Sequence, residues 1–230
     1  MTKIFCDIAD INLIKKFNKK KIVKGFTTNP SLMRNAGAKN YTIYAKKILK
    51  ITKKPVSLEV FGDDEKNMIN QGKIISTWGK NVYVKVPVTN SKGMFMGNVI
   101  KKLNKDKIKL NITAVYTAKQ TRQILKNVNK TTKVIISIFA GRMADCGKDP
   151  MPQFKESLKI SKNFKNVEIL WASTREPYNY IQSNQIGCHI ITIPPKIIEK
   201  IEKFGKSFKK LTTDTVKGFL YDTKKSKFHL

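Results

Sequence analysis

Eight short apolar runs, each followed by an interval with helical periodicity, limit the architectures open to this chain of 230 residues. The runs are Ile4–Ile8, Gly25–Asn29, Val56–Phe61, Val82–Val88, Leu110–Val115, Val134–Phe139, Val167–Ala172 and His189–Ile193. Their starts lie about 21 to 33 residues apart, room for one helix and two loops per unit. The intervals repeat apolar residues at helical spacing. Ile11, Leu13, Ile14 and Phe17 mark the first, Met68, Ile69, Ile74 and Ile75 the third, and Met94, Val99, Ile100 and Leu103 the fourth. Thr117 supplies a cap signal ahead of the fifth. Eight such units predict an α/β fold, a (β/α)8 TIM barrel, which closes on itself at eight. An open doubly wound sheet is the alternative, but no GxGxxG follows the first run. Residues 205–230 exceed the needs of an eighth helix. Phe208, Leu211, Val216, Phe219, Leu220 and Tyr221 predict a further helix, packed on the barrel or on a neighbouring subunit, so that residues 1–230 form one barrel domain with a C-terminal extension.

Lys85 breaks the fourth run, VYVKVPVT. Strand alternation sets it on one face with Tyr83 and Pro87, opposite Val84 and Val86. A buried ammonium is costly, so it pairs with a carboxylate or gives up its proton to become a nucleophilic amine. A lysine at a strand end whose stem reaches back to water is the plainer alternative.

The other runs also carry polar residues where a barrel interior should be oily. Asp7 ends the first, Thr27 and Asn29 the second, and Glu59 sits in the third. Asn111 and Thr113 lie in the fifth and Ser137 in the sixth, with Arg142 just beyond; Ser173 and Arg175 follow the seventh. Singly, each reads as a turn, cap or surface residue. A convergent set from seven strands costs several kcal/mol to bury unless its members satisfy one another.

Composition narrows the chemistry. The net charge of +30 invites a nucleic-acid reading, yet the basic residues are 42 lysines and only 4 arginines. Phosphate and base recognition favours arginine's fork, and these lysines spread over every expected helix. No specific nucleic-acid partner is expected. No apolar stretch approaches the ~20 residues of a membrane span, and the N-terminus lacks a signal-peptide layout. Three separated cysteines, Cys6, Cys146 and Cys188, form no CxxC pair and fit a reducing cytoplasm. His189 and His229 lack metal-ligand spacing, so no metal is expected. No Ser-His-Asp set and no P-loop is present. An amine, two carboxylates, small hydroxyl and amide donors and two arginines remain. That inventory suits Schiff-base formation on a ketose, proton transfer by carboxylates and a phosphate held by arginines.

The motifs CDIAD (Cys6–Asp10), GFTTNPSL (Gly25–Leu32), SLEV (Ser57–Val60), VKVPVT (Val84–Thr89), NITAVYTAKQ (Asn111–Gln120), ISIFAGRMAD (Ile136–Asp145) and WASTR (Trp171–Arg175) span nearly the whole chain. In this order and spacing they resemble the transaldolase family, in its short type. The resemblance implies that Lys85 forms the Schiff base and that Asp7 is the acid/base at the C4 hydroxyl. It implies that Glu59 and Thr113 hold the water of imine formation and hydrolysis. Asn29 and Ser137, supported by Thr27, would bind the dihydroxyacetone unit, while Arg142, Ser173 and Arg175 would bind phosphate. It implies sugar phosphate substrates, with transfer from sedoheptulose 7-phosphate to glyceraldehyde 3-phosphate and no cofactor. It also implies a homo-oligomer, a decamer of pentameric rings with exchanged C-terminal helices.

Related fructose 6-phosphate aldolases carry glutamine at the position of Glu59 and tyrosine at that of Phe139. Phe139 would line the same substrate pocket but cannot donate a proton, which favours transfer over release of free dihydroxyacetone. Four departures from the family pattern stand out: Ile8 in CDIAD, Ile138 with Ala140 in ISIFAGR, the segment MADCGKDPMP, and Glu176 beside Arg175. The last two alter the rim where a sugar phosphate tail would lie.

Overall fold

The computed structural model of the chain describes residues 1–228; His229, one of the two histidines considered above, and the last residue of the 205–230 extension lie outside them. Eight parallel strands close in sequence order into a barrel. They are β1 (Lys3–Asp7), β2 (Val23–Thr27), β3 (Val56–Glu59), β4 (Val82–Pro87), β5 (Leu110–Val115), β6 (Val134–Phe139), β7 (Val167–Ala172) and β8 (Ile190–Ile193). Three of them, β5, β6 and β7, keep the bounds read from sequence.

Period-two alternation sorts each strand into an outer and an inner row. Ile4, Phe26, Leu58, Val84, Val86, Ile112, Ile136, Ile138, Ile169, Trp171 and Ile191 join the large core between barrel and helices. Phe5, Tyr83, Ile135, Leu170, Ala172 and Ile190 form a second, smaller cluster that fills the barrel. Gly25 makes this layer possible, since a Cβ there would stand 2.6 Å from the Phe5 ring. Towards the C-terminal ends of the strands the inner row turns polar.

The helices follow the intervals: α1 (Ile11–Asn18), α2 (Pro30–Asn35), α3 (Tyr41–Ile51), α4 (Glu65–Ser76), α5 (Gly97–Lys105) and α6 (Ala118–Leu125). After them come α7 (Ala140–Asp145), α8 (Met151–Ser161), α9 (Tyr178–Gln185), α10 (Pro195–Ile201) and α11 (Phe208–Ser226). Their starts are chemically marked. Asp10, Asn40, Asp64 and Ser207 cap α1, α3, α4 and α11, and Thr117 with Gln120 forms a full capping box on α6. Phe154 of α8 stacks on Trp171, ring centroids 4.6 Å apart.

Several expectations need correction. β2 runs from Val23 to Thr27, two residues earlier than read, because Asn29 leaves the strand to cap α2 and accepts from the Leu32 N–H at 2.8 Å. β3 stops at Glu59 instead of Phe61, since the Gln71 side chain takes the Phe61 and Gly62 N–H groups at 2.8 and 2.9 Å. Phe61 is exposed and meets Tyr41 edge-on. Met94 sits in the loop before α5. The short helices α2 and α7 had no separate signal. α11 does not pack on the barrel, because none of its residues is buried.

Candidate active site

The strand register builds the site. Glu59, Lys85 and Asn111 are neighbours across β3, β4 and β5, so three polar side chains enter the barrel side by side. Lys85 is 8% exposed, and its Nζ donates to Glu59 Oε2 at 3.0 Å and to the Thr28 carbonyl at 3.1 Å. The pairing removes the plainer alternative left by the sequence: the nitrogen does not reach back to bulk water. A buried amine held by one carboxylate and one carbonyl is pre-oriented, with little rotamer freedom left to lose.

Asp7, at the end of β1, faces the same interior. Thr27 Oγ1 donates to Asp7 Oδ1 at 2.7 Å and lies 2.5 Å from Thr192 Oγ1. Burial pushes the Asp7 carboxyl above its ordinary range; the Thr27 bond and then Lys85 draw it back, and Glu59 adds to the rise. Desolvation wins, so Asp7 is a stronger base than a surface aspartate. Neighbouring Cys6 is buried and burial pushes its thiol up, which leaves it inert. Cys188 is likewise buried, whereas Cys146 is exposed.

Across the floor, Ser137 Oγ donates to Asn111 Oδ1 at 2.7 Å and Asn111 Nδ2 donates to Ser57 Oγ at 2.9 Å. Thr113 is 2% exposed, and its hydroxyl is buried without a hydrogen-bond partner among the described residues. An unpaired hydroxyl in such a place is costly unless a water or a substrate oxygen meets it. Ala114, beside it, adopts φ 57° where β5 loses register with β6. The kink lies at the barrel's rim, a place where bulges re-aim side chains.

A cavity of about 240 Å³ opens above these groups. Eleven of the twelve residues singled out in the sequence line it: Asp7, Thr27, Asn29, Lys85, Asn111, Thr113, Ser137, Phe139, Arg142, Ser173 and Arg175. Glu59 alone stands behind, against Lys85. Ala172 and Thr192 complete the lining. Thr192 was missed in the sequence; its one signal is a hydroxyl on the inner row of IITI in β8. At the rim Arg142 lies over the Phe139 ring, 5.6 Å from its centroid, and Tyr116 meets the same ring at 5.9 Å. Ser173 adopts φ 64°, a left-handed conformation that turns the chain sharply after β7.

The arrangement offers an amine nucleophile, a desolvated carboxylate, a chain of hydroxyl and amide groups, and cationic side chains at the mouth. A family model described as transaldolase/fructose-6-phosphate aldolase matches residues 4–230. A "Probable transaldolase" of Nitrosopumilus maritimus is 36% identical over 227 residues, 98% of this chain and 96% of the relative. One from Methanococcus maripaludis is 34% identical over 221 residues, 96% of each. A crystal structure from Burkholderia cenocepacia, provisionally named a phosphonomutase, superposes with a TM-score of 0.59 at 9% identity, covering 88% of this chain and 90% of that one; it shares the fold alone.

Proposed function

Since the chain belongs to the transaldolase/fructose-6-phosphate aldolase family, we propose that it moves a dihydroxyacetone unit from a ketose phosphate to an aldehyde acceptor through an imine on Lys85. The donor is sedoheptulose 7-phosphate and the acceptor glyceraldehyde 3-phosphate, in the cytoplasm. The observation that carries this reading is the enclosed Lys85 nitrogen, 3.0 Å from Glu59, on the floor of the cavity that Asp7 also lines.

The Lys85 amine attacks the ketose C2 carbonyl and the carbinolamine loses water to give an iminium. Glu59, with the Thr113 hydroxyl, manages the water and its protons. Asp7 then takes the C4 hydroxyl proton while the C3–C4 bond breaks, its electron pair passing into the iminium to leave an enamine. The aldehyde product departs. The enamine carbon attacks the acceptor's carbonyl carbon, Asp7 returns its proton to the new alkoxide, and water hydrolyses the imine to free the ketose and Lys85. Burial of Asp7 serves both steps, since it strengthens the base and stabilises the proton held between them. Asn29, Ser137 and Thr27 hold the hydroxyls of the three-carbon unit, and Arg142, Ser173 and Arg175 hold phosphate at the rim. Phe139 offers the enamine no acidic proton, so the three-carbon unit waits for an acceptor. Chains assemble through α11, as the exchanged C-terminal helices of the short type imply.

Acceptor dependence tests the reading. With fructose 6-phosphate as donor, turnover requires an added aldehyde phosphate, and free dihydroxyacetone stays near background. Steady release of dihydroxyacetone without acceptor would make the enzyme a lyase.

A further inference from the structure

Arg175 is held from two sides. Its backbone N–H donates to Asn179 Oδ1 at 3.0 Å, which fixes the turn after β7. Its stem packs where α7 lacks a side chain: a Cβ on Gly141 would stand 3.0 Å from Arg175 Cγ and 1.7 Å from the Ser173 carbonyl oxygen. At the far end of the same helix, Asp145 takes the guanidinium side-on. Arg175 Nε donates to Asp145 Oδ1 and Oδ2 at 3.1 and 3.2 Å, and Nη2 makes a short bond to Oδ2. That bond holds the Asp145 carboxyl below its usual range, with Arg142 adding to the pull.

Asp145 differs from the rim residues assigned to phosphate above. It does not line the cavity, whereas Arg175 lines it in the same conformation that makes the ion pair. A guanidinium has five N–H donors in a plane. The side-on pair uses the Nε–Nη2 edge and leaves the Nη1 donors for a second anion.

We propose that Asp145 is a positioning residue for phosphate specificity: it backs Arg175 from outside the cavity and presents the free edge of the guanidinium to the sugar's phosphate. The inference rests on the assignment of Arg175 to phosphate. α7 thus carries one rim arginine, Arg142, and orients the other through Gly141 and Asp145. An exposed arginine without such backing spreads over many rotamers and loses entropy when it binds.

The test is steady-state kinetics of Asp145→Asn with matched substrates, glyceraldehyde 3-phosphate against glyceraldehyde and fructose 6-phosphate against fructose. KM for the phosphorylated partners should rise roughly fivefold to tenfold, as expected when one exposed bidentate pair no longer fixes a charged donor. The kcat and the kinetics with unphosphorylated partners should stay within about twofold, and Asp145→Glu should recover part of the loss. A fall in KM would show that Asp145 competes with phosphate, and an equal change for both substrate sets would show a merely structural role. Either result overturns the proposal. Arg175→Gln separates the two levels of inference: if it raises the phosphorylated KM and Asp145→Asn does not, only the role of Asp145 fails. If Arg175→Gln also leaves KM unchanged, the phosphate assignment itself fails.

Discussion

Asp7 ties stability to chemistry. Its carboxyl sits where burial outweighs the help it receives from Thr27 and Lys85. The folded protein therefore binds this proton more tightly than the unfolded chain does, and between the two pKa values the native state holds the extra proton. Stability then falls as pH rises through that window. Asp7→Asn removes the penalty. Thermal melts should place the variant above the parent at pH 8, with the gap closing towards about pH 4, where an unfolded aspartate is itself half protonated. Transfer activity should drop by about 10²-fold to 10⁴-fold, the usual contribution of a positioned acid/base. A variant less stable than the parent at pH 8 would mean that Asp7 is a structural partner first. Burial was what sequence could not supply. Asp7, Glu59 and Lys85 were each legible as polar residues on strands, but not the excess of desolvation over pairing at Asp7.

At the scale of elements, the barrel was legible because short apolar runs recur eight times, with helical spacing in the intervals between them. The errors fall where a side chain competes with the backbone ladder. Asn29 left β2 to cap α2, and Gln71 took the N–H groups that would have carried β3 to Phe61. Such contacts are set by tertiary neighbours and leave no local pattern. α7 was invisible for another reason, since its six residues are too few for a periodic signal. Its Gly141 is nonetheless decisive for the rim. Gly141→Ala would drive a methyl group to within 1.7 Å of the Ser173 carbonyl oxygen, so α7 and the turn after β7 must part. A loss of about 1–3 kcal/mol in denaturant unfolding is expected from such overpacking, together with weaker binding of phosphorylated substrates. Parent-like stability and KM would show that the two segments yield freely. Thr192 shows the limit of a strand-by-strand search, because one threonine in an oily run carries meaning only once Thr27 and Asp7 are seen beside it.

At the scale of the whole molecule, α11 presents Phe208, Val216, Phe219, Leu220 and Tyr221 to solvent, each more than half exposed. An apolar helix that covers nothing of its own barrel fits an assembly element. If α11 joins copies of the chain, deleting residues 207–230 should leave far-UV circular dichroism of the barrel intact and yield a smaller species than the parent in size-exclusion chromatography. A deletion variant that keeps the parent's size would place the interface elsewhere. The charge of +30 bears on the central claim in a direct way: of 42 lysines, Lys85 alone is buried. The remaining 41 are half-buried or exposed, and none of them lines the cavity. Borohydride reduction in the presence of fructose 6-phosphate, followed by peptide mass mapping, reads out which nitrogen captures the sugar. The account predicts one reduced dihydroxyacetone adduct, on the peptide that carries Lys85, and none after Lys85→Met. An adduct on any other lysine, or no adduct with active enzyme, would contradict it.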